Sequence, residues 1–111
     1  MEPVSLNIHT AISAGRQAVV YAEGDVDVAT SPSLREALAK VLQRCTSVVV
    51  DVAAVRVVDS SGLSVLVWAH REAHRLGGSL QIRRPPPRFR RLLEITALDT
   101  FFLIDDEATP S

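Results

Sequence analysis

Cysteine is nearly missing from this chain. Cys45 stands alone among 111 residues, so no disulfide can close within it and no cysteine-based metal site can be assembled. That fits a reducing, intracellular setting. Aromatic residues are also scarce, at 5% of the chain against 47% for hydrophobic residues as a whole. The core must therefore be built from Val, Leu, Ile and Ala, which suits an α/β domain. Charge of one sign is not in excess either: a formal net charge of −1 gives no overall pull toward nucleic acid or an anionic membrane surface. Any partner must then be recognised locally. No apolar stretch approaches the roughly 18 residues that span a bilayer, and the opening MEPVSLNIHT lacks the basic start and long apolar run of a targeting segment. The expectation is a cytoplasmic domain with no membrane partner and no direct contact with nucleic acid.

What is present reads as one domain, large enough to bury roughly two-thirds of its unfolded surface. Val4, Leu6 and Ile8 alternate with Ser5, Asn7 and His9, the period-two pattern of an edge strand with one wet face. A second run, Gln17 to Glu23, stops at Gly24-Asp25 and can pair with the first as a hairpin. Ser31-Pro32 opens a helix, with Ser31 as N-cap and Leu34, Ala37, Leu38, Val41 and Leu42 on one face. Ser47 to Val52 is nearly continuous Val, as in an inner strand, interrupted by Asp51. A second helix runs from about Ser61 to Leu76 and is apolar nearly all round its first two turns. Gly77-Gly78 ends it, and Leu80 to Arg83 alternates as a strand whose connection implies a parallel pair. After the extended Pro85-Pro86-Pro87, a short helix carries Phe89, Leu92, Leu93 and Ile95, and a last apolar run spans Phe101 to Ile104.

The most informative segment is Val55 to Trp68, VRVVDSSGLSVLVW, which passes from β-branched residues through Asp59-Ser60-Ser61-Gly62 straight into a helical pattern. This places hydroxyls at a helix N-terminus, where the first N–H groups lack intrahelical partners and the dipole is positive. A serine there commonly caps the helix; the same end can hold a phosphate.

The order β-β-α-β-α-β-α-β, with DSSGL opening the central helix, resembles the STAS domains, and within them the anti-sigma factor antagonists. The resemblance is carried by Gly24-Asp25-Val26-Asp27, by Ser31 to Leu38, by Val58-Asp59-Ser60-Ser61-Gly62-Leu63 and by Arg91 to Leu98. It implies an α/β fold, a mixed sheet of about five strands with about three helices, over residues 1–105; the acidic tail at 106–111, rich in small residues, is expected to fray. It also implies that Ser60 is phosphorylated by an anti-sigma factor that is an ATP-dependent serine kinase, and that a serine phosphatase resets it. Asp25 and Asp27 match the family's acidic loop. Together with Asp59, Ser61, Gly62 and Ser64 they form the expected partner-binding surface. Such a protein is not an enzyme: it needs no cofactor or metal and is the substrate of phosphoryl transfer. The same resemblance leaves open a STAS accessory subunit of a membrane transporter, and a nucleotide- or small-ligand-binding module remains a third reading.

Other constellations weigh less. His70 and His74 are spaced i,i+4 without a convincing third ligand and read as solvated helix histidines. Asp59, Ser60 and His70 include the residue types of a hydrolytic triad, but the nucleophile elbow is half missing and His70 lies about 15 Å along the same helix. Arg83, Arg84, Arg88, Arg90 and Arg91 surround the proline triplet. They read as a solvated strand end and helix face, with phosphate or acidic-partner binding as the alternative.

Overall fold

The computed structural model describes residues 6–13 and 15–106. Its elements are β1 (Leu6–Ile12), β2 (Gln17–Val26), α1 (Ser31–Leu42), β3 (Ser47–Val58), α2 (Ser60–Arg75), β4 (Ser79–Arg83), α3 (Pro87–Ile95) and β5 (Leu103–Asp105). The strands lie in sequence order in one sheet, β1-β2-β3-β4-β5. β1 pairs antiparallel with β2 as a hairpin, and every later pair is parallel. The expected α/β architecture and element order are both found.

Lateral register explains why the valine-rich strands bury so well. Ala18 and Val20 of β2 pair with Val48 and Val50 of β3, which pair with Leu80 and Ile82 of β4. All six are at most 2% exposed. α1 packs on β2, and α2 on β3 and β4. Leu34 and Leu38 of α1 join Leu63, Leu66, Ala69 and Ala73 of α2 in one core with Phe89 and Leu93 of α3. Each large aliphatic side chain so buried contributes about 1.5–3 kcal/mol.

Three boundaries differ from expectation. β2 does not stop at Gly24-Asp25: Gly24 has φ +114°, a conformation open mainly to glycine, and pairing continues through two register shifts to Val26↔Val58. β3 correspondingly runs six residues beyond Val52, to Val58. The N-cap of α1 is Thr30 rather than Ser31, because Asp27 gathers the preceding amides itself, as described below. α3 is found as expected, with Ile95 69% exposed at its last turn. The break after α2 is as expected. Gly78 passes so close to the backbone before β3 that a Cβ would lie 2.0 Å from the Thr46 carbonyl oxygen. Val4 and the tail beyond Asp106 lie outside the described residues.

Candidate functional site

The ends of β2 and β3 and the start of α2 meet at one corner. The Asp59 N–H donates to the Val26 carbonyl (3.1 Å), so the acidic strand end and the serine-bearing turn are stitched backbone to backbone. Gly62 tightens that junction: a Cβ there would lie 2.2 Å from Val26 Cγ1 and 3.1 Å from the Val26 oxygen. The first turn of α2 can approach β2 this closely only because residue 62 has no side chain.

The cap of α2 is Asp59, not a serine. Asp59 is extended (φ −129°, ψ −175°), and its Oδ1 accepts from Ser61 N–H (2.9 Å) and Gly62 N–H (3.2 Å). Aspartate and serine cap about equally well. Here β3 stays extended through Val58, so the helix starts immediately after Asp59 and the cap falls one residue earlier than a serine cap would place it. Ser60 becomes the first helical residue, exposed and taking no part in the cap. Ser61 is half-buried, Gly62 buried, and Ser64 exposed, its hydroxyl donating to the Ser60 carbonyl (2.9 Å).

The acidic loop sits against the same corner. Asp25 accepts from the Arg56 guanidinium of β3 (2.9 Å). Asp27 Oδ1 accepts from the Ala29 and Thr30 amides (3.0 and 3.1 Å), while Thr30 Oγ1 accepts from Asp27 N–H (3.0 Å) and donates to the Asp25 carbonyl (2.9 Å). Asp27 thus shapes the turn into α1 as well as carrying charge. At the loop's tip Val28 is 71% exposed. The structure therefore gathers Asp25, Asp27, Asp59, Ser60, Ser61 and Gly62 at one end of the sheet, with Ser64 one turn further along α2. Arg56 and Val28 were missed by sequence reasoning. The spacing of Arg56 from Asp59 gives no hint of its pairing with β2, and an exposed valine in a loop carries no signal of its own.

Two expectations outside the corner are corrected. His70 is not solvated: it is 8% exposed, packed between His74 (ring centroids 4.5 Å), Phe101 (4.5 Å) and Phe102 (5.6 Å), with Nδ1 unpartnered. Burial, reinforced by repulsion from His74, holds its pKa below the ordinary histidine value. His74 is exposed, as expected. Arg83 and Arg84 are likewise not a free solvated strand end. Both converge on Asp51, which is 3% exposed; its Oδ2 accepts from Arg83 Nε (3.0 Å) and from Arg84 (2.6 Å), and its Oδ1 from Ala53 N–H (3.0 Å). Burial alone would raise the Asp51 pKa. The Ala53 N–H and the two guanidiniums outweigh it and hold the carboxyl below its ordinary range. An aspartate inside a run of valines is the available signal, since a buried carboxylate requires a partner. Arg90 pairs with Asp106. Among the described residues no cluster of His, Cys, Asp and Glu is placed to hold a metal ion, and no helix is long and apolar enough to cross a membrane.

Comparison with known proteins gives a consistent picture. A family model described as "Mlab, STAS domain" matches residues 9–105. The chain is 33% identical over 75 residues to the anti-sigma-B factor antagonist of Bacillus subtilis strain 168, covering 68% of this chain and 69% of that protein. Among solved structures, an anti-sigma factor antagonist from Mycobacterium paratuberculosis superposes with a TM-score of 0.81 at 25% identity, covering 96% of this chain and 91% of that one. The Bacillus cell fate determinant SpoIIAA, in its phosphorylated form, shares the fold with a TM-score of 0.72 at 16% identity, over 91% of this chain and 93% of that one. These relatives are named for regulation, not for a catalysed reaction.

Proposed function

The chain belongs to the STAS domain family, among the anti-sigma factor antagonists, and from that membership we propose that it binds an anti-sigma factor serine kinase and is switched off by phosphorylation of Ser60. Unmodified, it occupies the kinase and frees a sigma factor; a serine phosphatase restores it. It acts in the cytoplasm as a regulator, with no cofactor of its own. Asp25, Asp27, Asp59, Ser61, Gly62 and Ser64 make the docking surface.

The observation that carries this reading is the division of labour at the helix start. Asp59 satisfies the helix amides, which leaves the exposed Ser60 hydroxyl free of structural duty. A kinase can then engage that hydroxyl without dismantling the cap. The Ser60 oxygen attacks the γ-phosphorus of ATP, the bond to ADP breaks, and the hydroxyl proton passes to a base; ATP and magnesium come with the kinase. The product sits at the positive end of α2, so the fold tolerates it.

The test is intact-mass analysis after incubation with ATP and each candidate anti-sigma kinase. Wild type should gain one phosphoryl group and Ser60→Ala none. A phosphate mapped to Ser61 or Ser64 would move the switch residue. Copurification with an ATP-binding transporter subunit, with no kinase recognising the chain, would replace the antagonist reading altogether.

A further inference from the structure

The exposed face of α2 continues well past the serine corner. At 100° per residue, Ser60, Ser64, Trp68, Arg71 and Arg75 fall within about 80° of arc, along roughly 22 Å of helix. The opposite arc, including Leu63, Leu66, Ala69 and Ala73, is buried. The stripe changes character along its length, from hydroxyls beside three carboxylates to an aromatic ring among guanidiniums. Trp68, the chain's single tryptophan, is half-buried, and the Arg35 guanidinium of α1 lies over its ring at 4.0 Å. Beyond it, a groove of about 370 Å³ between the two helices is lined by Leu42, Trp68 and Leu76, with Glu72 and Arg75 at its edge. Glu72 is paired with Arg75. Arg35 and Arg71, both exposed, therefore leave this end with a net positive charge.

We propose that Arg35, Trp68 and Arg71 form a second half of the partner surface, which takes an acidic element of the anti-sigma factor bearing an apolar side chain for the Trp68 groove. The proposal rests on the antagonist reading and deepens it. Tryptophan and arginine are the residue types that most often dominate binding energy, above all where the ring is held in one orientation before the partner arrives. Here the Arg35 guanidinium already lies against the Trp68 ring. The groove is continuous with the serine corner along one helix face, and its charge is opposite to that of the corner. A partner spanning both must present a basic region to Asp25 and Asp27 and an acidic one to Arg35 and Arg71, which fixes its orientation. Trp68 also lies about 12 Å of helix from Ser60, beyond a Debye length at physiological salt. A phosphate on Ser60 thus weakens the first half and leaves the second intact, and the modified protein keeps a weak residual grip.

The experiment uses the kinase that phosphorylates the full chain on Ser60. Its affinity is measured by calorimetry for wild type, Arg35→Ala/Arg71→Ala and Trp68→Leu, and Trp68 is replaced by 5-fluorotryptophan for fluorine NMR. The double arginine variant removes only exposed side chains and so separates binding from folding. It should bind about tenfold more weakly than wild type, and the single fluorine resonance should shift on adding kinase. Equal affinities with an unmoved resonance would overturn this proposal and leave the antagonist reading standing. If no kinase binds wild type, the antagonist reading fails and this one with it. A wild-type dimer dissociated by the arginine substitutions would assign the groove to a second copy and also overturn it.

Discussion

Asp51 allows a sharp separation of structural from functional acid. The carboxylate is 3% exposed, and the arginines it gathers are about a quarter and a third exposed (Arg83 26%, Arg84 31%). Asp51→Asn keeps an acceptor for the Ala53 N–H but removes the charge that two guanidiniums need. Removing one partner of a buried ion pair typically costs 3–5 kcal/mol. The partial exposure of both arginines lets water take over some of the loss, so about 3 kcal/mol is expected, or a fall in Tm of about 12 °C for a domain of this size. Urea denaturation followed by circular dichroism reads it directly. The sign of the pH dependence follows from the depressed carboxyl pKa. The unfolded carboxylate protonates first as pH falls, so the pair's contribution is full above about pH 4 and is lost as pH drops through the folded value. Wild type should show this acid limb, and Asp51→Asn should show less of it. At temperatures where both are folded, kinase affinity should be unchanged, since the Asp51 cluster is not part of the serine corner. A stability loss below 1 kcal/mol would mean that the arginines are solvated independently of Asp51, and the argument from burial would be wrong.

Further outcomes follow from the packing. Gly62→Ala should destabilise by about 1–3 kcal/mol through overpacking against Val26 and should slow phosphorylation by displacing Ser60; unaltered stability and rate would show that the junction is slack. Leu66, 1% exposed in the centre of α2, should cost about 2–5 kcal/mol when cut to Ala, and a denaturant titration showing well under 1 kcal/mol would remove that helix from the core. For His70 the folded pKa is lowered, so its neutral form stabilises the fold above the unfolded value near 6.5; stability should fall as pH drops from there through the folded value. His70→Phe should flatten this limb, and a wild type insensitive to pH between 7 and 5 would contradict the burial of that ring.

The fold was legible because its signals are local and repeated. Alternation marks β1, near-continuous valine marks β3, and the helical spacing of Leu34, Leu38, Val41 and Leu42 marks α1. The serine corner was legible in part. The order strand, DSSGL, helix placed Ser60 at a helix start, but which residue caps depends on how far β3 stays extended, and that is decided by its pairing with β2. The same long-range pairing joins Asp25 to Arg56. Asp51 on β3 lies more than thirty residues from Arg83 at the end of β4 and Arg84 just after it, so local composition shows a solvated arginine patch where the fold joins two arginines to a buried carboxylate. His70 escaped for a related reason: its spacing from His74 is visible in sequence, whereas the Phe101-Phe102 turn that covers it arrives from the other end of the chain.

A phosphate on Ser60 should turn off partner binding by charge. Asp59 is its neighbour, and Asp25 and Asp27 lie at the same corner, so a phosphoserine of about −1.5 to −2 joins three carboxylates countered by Arg56. Two unit charges about 5 Å apart at an effective dielectric near 20 repel by roughly 3 kcal/mol, and screening leaves about half. That is about a tenfold loss of affinity. Titration calorimetry of the anti-sigma kinase with unmodified and Ser60-phosphorylated protein, each shown to be folded, should find the phosphorylated form weaker by at least that factor; equal affinities would contradict the account.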